Sequence, residues 1–196
     1  INRSMAVGNL INPQRDLGVL VEGKYKDFAK YAVSFTNAST FNEIDDNTNK
    51  AISARMVLSP LSFMNIGGSY QNYTVPAQEI GVDEDERKRY AAEFEFNLDP
   101  ILVQAEYIMA EDLGSYTTGG GWSDDPVEVH EGSVNRNGYF AQVMFDLYDI
   151  IDYNIQPVVK YESFDPNTDA DSDASSIITF GVNYFFNDWT RLQINY

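Results

Sequence analysis

The chain has 196 residues, with 30 acidic and 13 basic side chains and a formal net charge of −17. Nucleic-acid binding needs a basic surface, so this charge argues against it. Aromatic residues make up 14 % of the chain, which argues against disorder because strongly charged disordered chains contain few of them. No apolar run approaches the roughly 18–20 residues of a transmembrane helix. No linker divides the sequence, so we expect one domain over 1–196.

Apolar and polar residues alternate with a period of two along most of the chain. In 178–186, for example, Ile178, Phe180 and Val182 fall on one side, and Thr179 and Gly181 on the other. This period is that of a half-apolar β-strand. The alternation predicts an all-β, antiparallel fold with ten strands, near 15–23, 27–37, 49–59, 61–74, 88–98, 101–112, 134–147, 152–164, 175–186 and 189–196.

The connections between these strands alternate in length. Short turns are expected at 24–26, 59–60, 99–100, 148–151 and 187–188, and long polar loops at 38–48, 75–87, 113–133 and 165–174. Tight turns at one end and long loops at the other are typical of transmembrane β-barrels, whose average hydropathy is low because only every second residue faces lipid. Aromatic residues cluster near the strand ends, as in the two interfacial girdles of such barrels.

Several short motifs carry a family resemblance in the same order along the chain. They are Arg15-Asp16-Leu17-Gly18-Val19, 31–37, 137–142, 156–162, 179–185 and 192–196. With these motifs the chain resembles the phosphate-selective porin O and P family, and the closing strands in particular. The resemblance implies a 16-stranded barrel, commonly a homotrimer, which passes phosphate or other anions through the outer membrane. We therefore expect this chain to be the C-terminal portion, incomplete at the N-terminal side by about six strands.

One feature of the composition departs from that family. An anion-selective pore needs lumen-facing arginine and lysine, whereas basic residues here are fewer than half as many as acidic ones. We carry over the fold and the channel class, and not the phosphate selectivity.

The alternation also predicts which side chains line a water-filled lumen. Charged rings in such a lumen bias ion traffic, although a polar wall that satisfies only itself and water has the same pattern. The candidates suggest a mixed lumen that leans acidic, with a weak cation preference. They are Lys30, Arg55, Glu93, Glu95, Gln104, Glu106, Gln142, Lys160, Glu162, Asn183 and Arg191.

Two other features raise the question of a metal site or a catalytic residue. Oxygen ligands stand at every second position of one acidic loop, at Asp165, Asn167, Asp169, Asp171 and Asp173, which suggests loose Ca²⁺ binding, although the glycine and glutamate of an EF-hand are missing. A solvated loop is the simpler interpretation. The only histidine, His130, has acidic neighbours, but a lone histidine in a loop is more often a surface residue. Without nucleophile elbow, P-loop or zinc-ligand spacing, we predict neither an enzyme nor a cofactor.

The sequence therefore favours a passive porin in the outer membrane of a Gram-negative bacterium. Its expected partners are outer-membrane lipid and lipopolysaccharide, small solutes or ions, further copies in a homotrimer by family resemblance, and no nucleic acid. The alternative is a barrel that acts as a scaffold or adhesin for a surface partner. A soluble β-sandwich or binding module has the same alternation, because one side of each sheet is then core.

Overall fold

The fold is a single antiparallel sheet of ten strands in chain order, in a computed structural model that describes residues 4–10, 17–37, 49–75, 85–118, 126 and 128–196. The prediction of an all-β fold with ten antiparallel strands is confirmed. The strands are β1 (Gly18–Tyr25), β2 (Ala29–Thr36), β3 (Ala51–Leu61), β4 (Met64–Val75), β5 (Asp85–Leu98), β6 (Ile101–Thr118), β7 (Glu128–Phe145), β8 (Ile155–Asp165), β9 (Ser175–Asn187) and β10 (Thr190–Asn195).

Two short helices accompany the sheet. Helix α1 (Met5–Leu10) lies against β6, β7 and β8, and helix α2 (Tyr148–Ile151) connects β7 to β8. A turn was expected at 148–151. The chain instead makes one helical turn there, which ends where Asp152 adopts a left-handed conformation with φ 57°. In the described part of the chain, neither helix is long and apolar enough to cross a membrane.

Three of the short turns lie a little further along the chain than the sequence indicated, the last of them at 188–189 instead of 187–188. The first occupies 26–28 instead of 24–26, with Lys26 at a positive φ of 51°. The prediction of a turn at Ser59-Pro60 was wrong, because both residues belong to β3 and the chain turns at 62–63. The register is irregular between Leu58 and Leu61. Such an irregularity accommodates a proline inside a strand, since proline cannot donate to the ladder.

The predicted loop 113–133 is largely a continuation of the β6–β7 hairpin. Pairing continues from Leu113 opposite Ser133 to Thr118 opposite Glu128, so both strands have 18 residues. Sequence patterning missed this extension because it has no row of apolar residues, and a period of two is visible only when one face differs from the other. The predicted loop 38–48 and most of 75–87 lie outside the described residues.

The two faces of the sheet differ sharply in character. One face, which we call the apolar face, carries rows of large hydrophobic side chains such as Val33, Met56, Phe94, Val143 and Phe180, all more than a third exposed. No second sheet or helix covers this face in the described part of the chain. The β-sandwich alternative needs such a cover, because its apolar rows form a dry core. The described fold therefore does not have the layers of a sandwich.

Aromatic side chains form two levels at opposite ends of the strands. Towards the long loops, tyrosine rings stand next to one another on neighbouring strands: Tyr70 and Tyr90 have centroids 5.1 Å apart, and Tyr139 lies 6.4 Å from Tyr107 and 5.9 Å from Tyr161. At the short-turn end lie Tyr25, Phe28, Phe63, Phe96, Phe145, Tyr148, Tyr153, Phe186 and Trp189. Along β7, Phe145 follows Tyr139 by six positions, about 20 Å of strand.

Candidate functional site

The register of the sheet places all eleven predicted lumen candidates on the face opposite the apolar one. Glu93 pairs with Glu106, Gln104 with Gln142, and Lys160 with Gln142, so these side chains stand side by side across neighbouring strands. The same parity carries through to both ends of the sheet, and the other members follow it: Lys30, Arg55, Glu95, Glu162, Asn183 and Arg191. We call this surface the polar face.

Helix α1 is seated on the polar face and is held at both ends by charged groups of the wall. At its N-terminal end, the Met5 backbone N–H donates to Glu162 Oε2 at 3.1 Å. At its C-terminal end, the Leu10 carbonyl oxygen accepts a hydrogen bond of 2.8 Å from Arg89 Nε. A carboxylate at the positive end of the helix dipole and a guanidinium at the negative end both stabilise this orientation.

The middle of α1 packs on a patch of small and apolar wall residues. Ala6 and Leu10 form a buried cluster with Ile108 and Ala110 of β6. Gly138 of β7 makes this approach possible, since a Cβ atom there would lie 2.7 Å from Ala6 Cβ. The patch is the largest buried apolar cluster in the described structure, and it fixes the helix against the wall formed by β6, β7 and β8.

A group of buried charges behind α1 was missed at the level of sequence. Asp112 of β6 is only 3 % exposed, and Arg89 NH1 lies 2.5 Å from its Oδ1. Arg136 approaches the same carboxylate at 3.4 Å and Arg87 at 3.9 Å, while Arg87 also contacts Asp85. The run 85–89 reads as a charged loop edge in the sequence. Strand parity, which sends every second of these residues to the polar face, was the signal that could have found the cluster.

A second charged group lies in the middle of the polar face, away from α1. Arg55 of β3 donates twice to Glu93 of β5, through Nε at 2.8 Å and NH2 at 2.7 Å. The pair reaches across β4 at Gly67, where a Cβ atom would collide with the Glu93 carboxylate. Glycine at this position therefore lets a two-point ion pair bridge two strands that are not neighbours.

Amide side chains continue this group towards the short-turn end. Asn65 Nδ2 donates to Glu95 Oε1 at 2.9 Å, and Gln104 Nε2 donates to Glu95 Oε2 at 2.8 Å. Gln142 Nε2 in turn donates to Gln104 Oε1 at 2.5 Å. The network joins four strands by hydrogen bonds and leaves the Glu95 carboxylate with amide donors and no cation.

The remaining candidates are distributed at the far side of the sheet. Lys160 and Glu162 form a buried ion pair of 2.5 Å, which presents Glu162 to the start of α1. Asn183 of β9 is 1 % exposed and donates to Gln156 at 3.0 Å. Arg191 of β10 is exposed and lies beside neither the Asp112 cluster nor the Arg55–Glu93 pair.

The charge of the polar face bears on the prediction of a lumen that leans acidic. By register, its strand positions include eight basic residues (Lys24, Lys30, Arg55, Arg87, Arg89, Arg136, Lys160, Arg191) and eight acidic ones (Glu22, Asp85, Glu93, Glu95, Glu106, Asp112, Glu128, Glu162). Basic and acidic positions are therefore equal in number along the described strands, and the weak cation preference stays a prediction.

Part of the acidic excess is gathered at the short-turn end of the sheet. The described turns there carry six aspartates, Asp27, Asp99, Asp146, Asp149, Asp152 and Asp188, against a single lysine, Lys26. Partial desolvation raises the pKa of Asp99, and a hydrogen bond with Asp149 and the charges of Asp149 and Asp146 raise it further. Like charges therefore crowd this rim.

The two other sequence hypotheses gain no geometric support. In the acidic loop, Asp165 Oδ1 accepts the Asn167 N–H and Asn167 Oδ1 accepts the Asp169 N–H, both at 3.1 Å, so these oxygens serve local turns. Within the described ranges, no group of three or more His, Asp or Glu side chains is placed to hold a metal ion. His130 lies in β7 opposite Tyr116, while its acidic neighbours at 124–125 fall outside the described residues.

Comparison with known proteins adds no family to this description. No protein-family model matches the chain, and no curated protein matches it.

Proposed function

We propose that this chain forms the wall of an outer-membrane porin, through which small hydrophilic solutes or ions diffuse passively. The observation that carries the proposal is the contrast between the two faces of one uncovered sheet. A soluble protein rarely exposes so large a continuous apolar surface, whereas a membrane barrel needs an apolar band outside and a polar lining inside. Lipid on the apolar face and water on the polar face would satisfy both.

Three further features support this reading. The strands β3 to β9 have 11 to 18 residues, enough for the 9–11 residues of a tilted membrane strand. The two aromatic levels are of the kind expected where rings lie at the two interfaces of a bilayer. Helix α1 occupies the polar side of the wall, where it would narrow a lumen without reaching the lipid.

The finer assignments rest on the family resemblance alone. Membership of the phosphate-selective porin O and P family, a 16-stranded barrel, a homotrimer, and a Gram-negative outer membrane with its lipopolysaccharide form one consistent proposal. Phosphate selectivity is not included. Of the eight basic residues on the described polar face, five are held in ion pairs and a sixth, Arg191, lies far from the others. Only Lys24 and Lys30 remain. No catalytic role or cofactor is proposed.

One observation favours the alternative of a scaffold or adhesin. The β6–β7 hairpin has 18 residues in each strand, about 60 Å at full length, and so extends well beyond what a bilayer requires. A projecting hairpin of this kind can contact a surface partner. The two functions share a fold and differ in conductance.

Planar-bilayer recording of the full-length protein tests the choice between them. Stepwise current increments on insertion are expected for a porin. A protein that inserts and shows no such increments would be a closed scaffold, and the proposal would fail.

A pair of adjacent substitutions tests the membrane assignment itself. Val33 lies on the apolar face and Ser34 on the polar face of β2. Arginine on the lipid face near the bilayer midplane costs about 2–4 kcal/mol of folding free energy, so Val33→Arg should destabilise the protein folded in lipid vesicles by that amount. Ser34→Arg is the control and should leave the unfolding free energy nearly unchanged. Equal effects at both positions would contradict a lipid-facing apolar surface.

A further inference from the structure

The middle of the polar face contains a groove of about 310 Å³ with charges of opposite sign at its two ends. Its lining includes Lys30 of β2 at one end and Glu106 of β6 at the other, with Arg55, Asn65 and Glu93 between them. Lys24 stands directly opposite Lys30 in the β1–β2 register, and Glu95 stands one row from Glu93 on β5. The groove is thus basic on the β1–β2 side and acidic on the β5–β6 side.

The charges in this groove differ in whether they are satisfied within the protein. Arg55 and Glu93 neutralise each other through two hydrogen bonds. Lys30, which is exposed, and Glu106, which is half-buried near the Arg55 charge, have by contrast no hydrogen bond or salt bridge among the described residues, although both line the same groove. Elsewhere on this face the buried charges are paired, as in Lys160 with Glu162. An unpaired cation and an unpaired carboxylate in one concavity are the complement of a ligand that carries both charges.

The separation of the two groups limits the size of that ligand. Four inter-strand steps lie between β2 and β6, so the two Cα atoms are about 19 Å apart along the sheet. Lysine and glutamate side chains that lean towards each other across the groove span about half of this distance, so a ligand that contacts both needs its two charges at least about 10 Å apart. An amino acid is too short to touch both groups, whereas an extended tripeptide has its ammonium and carboxylate about 10 Å apart.

From this geometry we propose that the groove is a binding station for short zwitterionic peptides. The peptide carboxylate contacts Lys30 and its ammonium contacts Glu106, while the Arg55–Glu93 pair and the Asn65 amide face its backbone. The proposal deepens the pore function, because it names a solute class for the lumen. Its binding step, however, does not depend on conduction.

Isothermal titration calorimetry of the full-length protein in detergent, with trialanine as the probe, tests the proposal. We expect weak, millimolar binding, as befits a solute that must also leave. N-acetyl-trialanine and trialanine amide each lack one charge and should bind about fivefold more weakly, the factor that corresponds to one exposed charge pair of about 1 kcal/mol. Equal affinity for the free and capped peptides, or no binding of trialanine, would overturn the proposal.

Two variants test which protein charge contacts which end of the peptide. Glu106→Gln should remove the preference for a free ammonium and keep the preference for a free carboxylate, and Lys30→Gln should do the reverse. Glu111→Gln, on the opposite face of β6, and Lys26→Gln, in the β1–β2 turn, are the matched controls and should retain the affinity for trialanine. Loss of both preferences in a control variant would show that net charge, and not the groove, recognises the peptide.

Bilayer recording separates this inference from the pore function. Currents that trialanine does not interrupt, together with the absence of calorimetric binding, would remove the peptide station and leave the porin intact. Binding without any current would retain the station and remove the porin.

Discussion

The wall beneath α1, in β5 to β8, differs from the wall at the start of the sheet, in β1 to β4, which we call the bare wall. Under the helix, Ile108, Ala110 and Asp112 are at most 3 % exposed, and the charges are buried and paired. On β1 and β2 no described element covers the polar face, and Leu20 is 60 % exposed. The apolar face, in contrast, is exposed along both walls. The difference therefore concerns only the side on which a lumen is proposed.

The two walls differ in how much side-chain surface they bury and in how much space they leave above the sheet. Burial of apolar surface and of ion pairs is concentrated in β5 to β8, where the helix completes a small core. The bare wall has short side chains at Ala32, Ser34, Ser53 and Ser69, which stabilise little and leave space. Buried contacts and open space thus lie in different parts of one sheet.

The same substitution in the two walls should give the largest difference. Arg89→Met leaves Asp112 as a buried carboxylate without its closest cation and removes the hydrogen bond to Leu10. Breaking a buried pair in this way costs about 3–5 kcal/mol. Arg55→Met, in the bare wall, breaks a pair whose arginine side chain is 58 % exposed, so its cost should stay within about 1 kcal/mol. Urea unfolding in detergent measures both.

A double variant shows whether the cost comes from the stranded carboxylate. Asp112→Leu combined with Arg89→Met removes both charges and should recover much of the lost stability, because an apolar pair of similar volume is often no worse than a buried ion pair. Arg136 remains near this position and limits the recovery. Equal costs for Arg89→Met and Arg55→Met would contradict the distinction between the wall beneath α1 and the bare wall.

A second comparison uses two glycines on opposite faces. At Gly138 a Cβ atom would lie 2.7 Å from Ala6 Cβ, whereas at Gly68 the nearest atom, Ala91 O, would be 3.5 Å away. Gly138→Ala should therefore displace α1, at a cost of about 1–3 kcal/mol for overpacking, and raise the single-channel conductance. Gly68→Ala should change neither property appreciably. An unchanged conductance in Gly138→Ala, despite lost stability, would mean that α1 does not narrow the path.

The sequence predicts the strands and their two faces far better than it predicts the side-chain pairs and the helix on the polar face. Alternation fixes parity, so residues as distant as Lys30 and Arg191 were assigned to their common face without any contact information. It says nothing about which neighbours pair, and the Arg55–Glu93 bridge depends on a missing side chain at Gly67 one strand away. Helix α1 was missed because six residues carry too weak a pattern, and its position depends on contacts with strands more than a hundred residues later.

The smallest expected effect concerns the acidic rim, which belongs to neither wall. Because the pKa of Asp99 is raised in the folded protein, the folded state holds this proton more tightly than the unfolded chain. Its contribution to stability is therefore present below the unfolded pKa and is lost as pH rises through the folded pKa. Asp99→Asn should slightly raise the unfolding temperature at neutral pH, where it removes repulsion from Asp146 and Asp149, and the gain should disappear in acid. A gain of equal size at acidic and neutral pH would show that charge repulsion is not its source, and Asp27→Asn, in the β1–β2 turn, is the control.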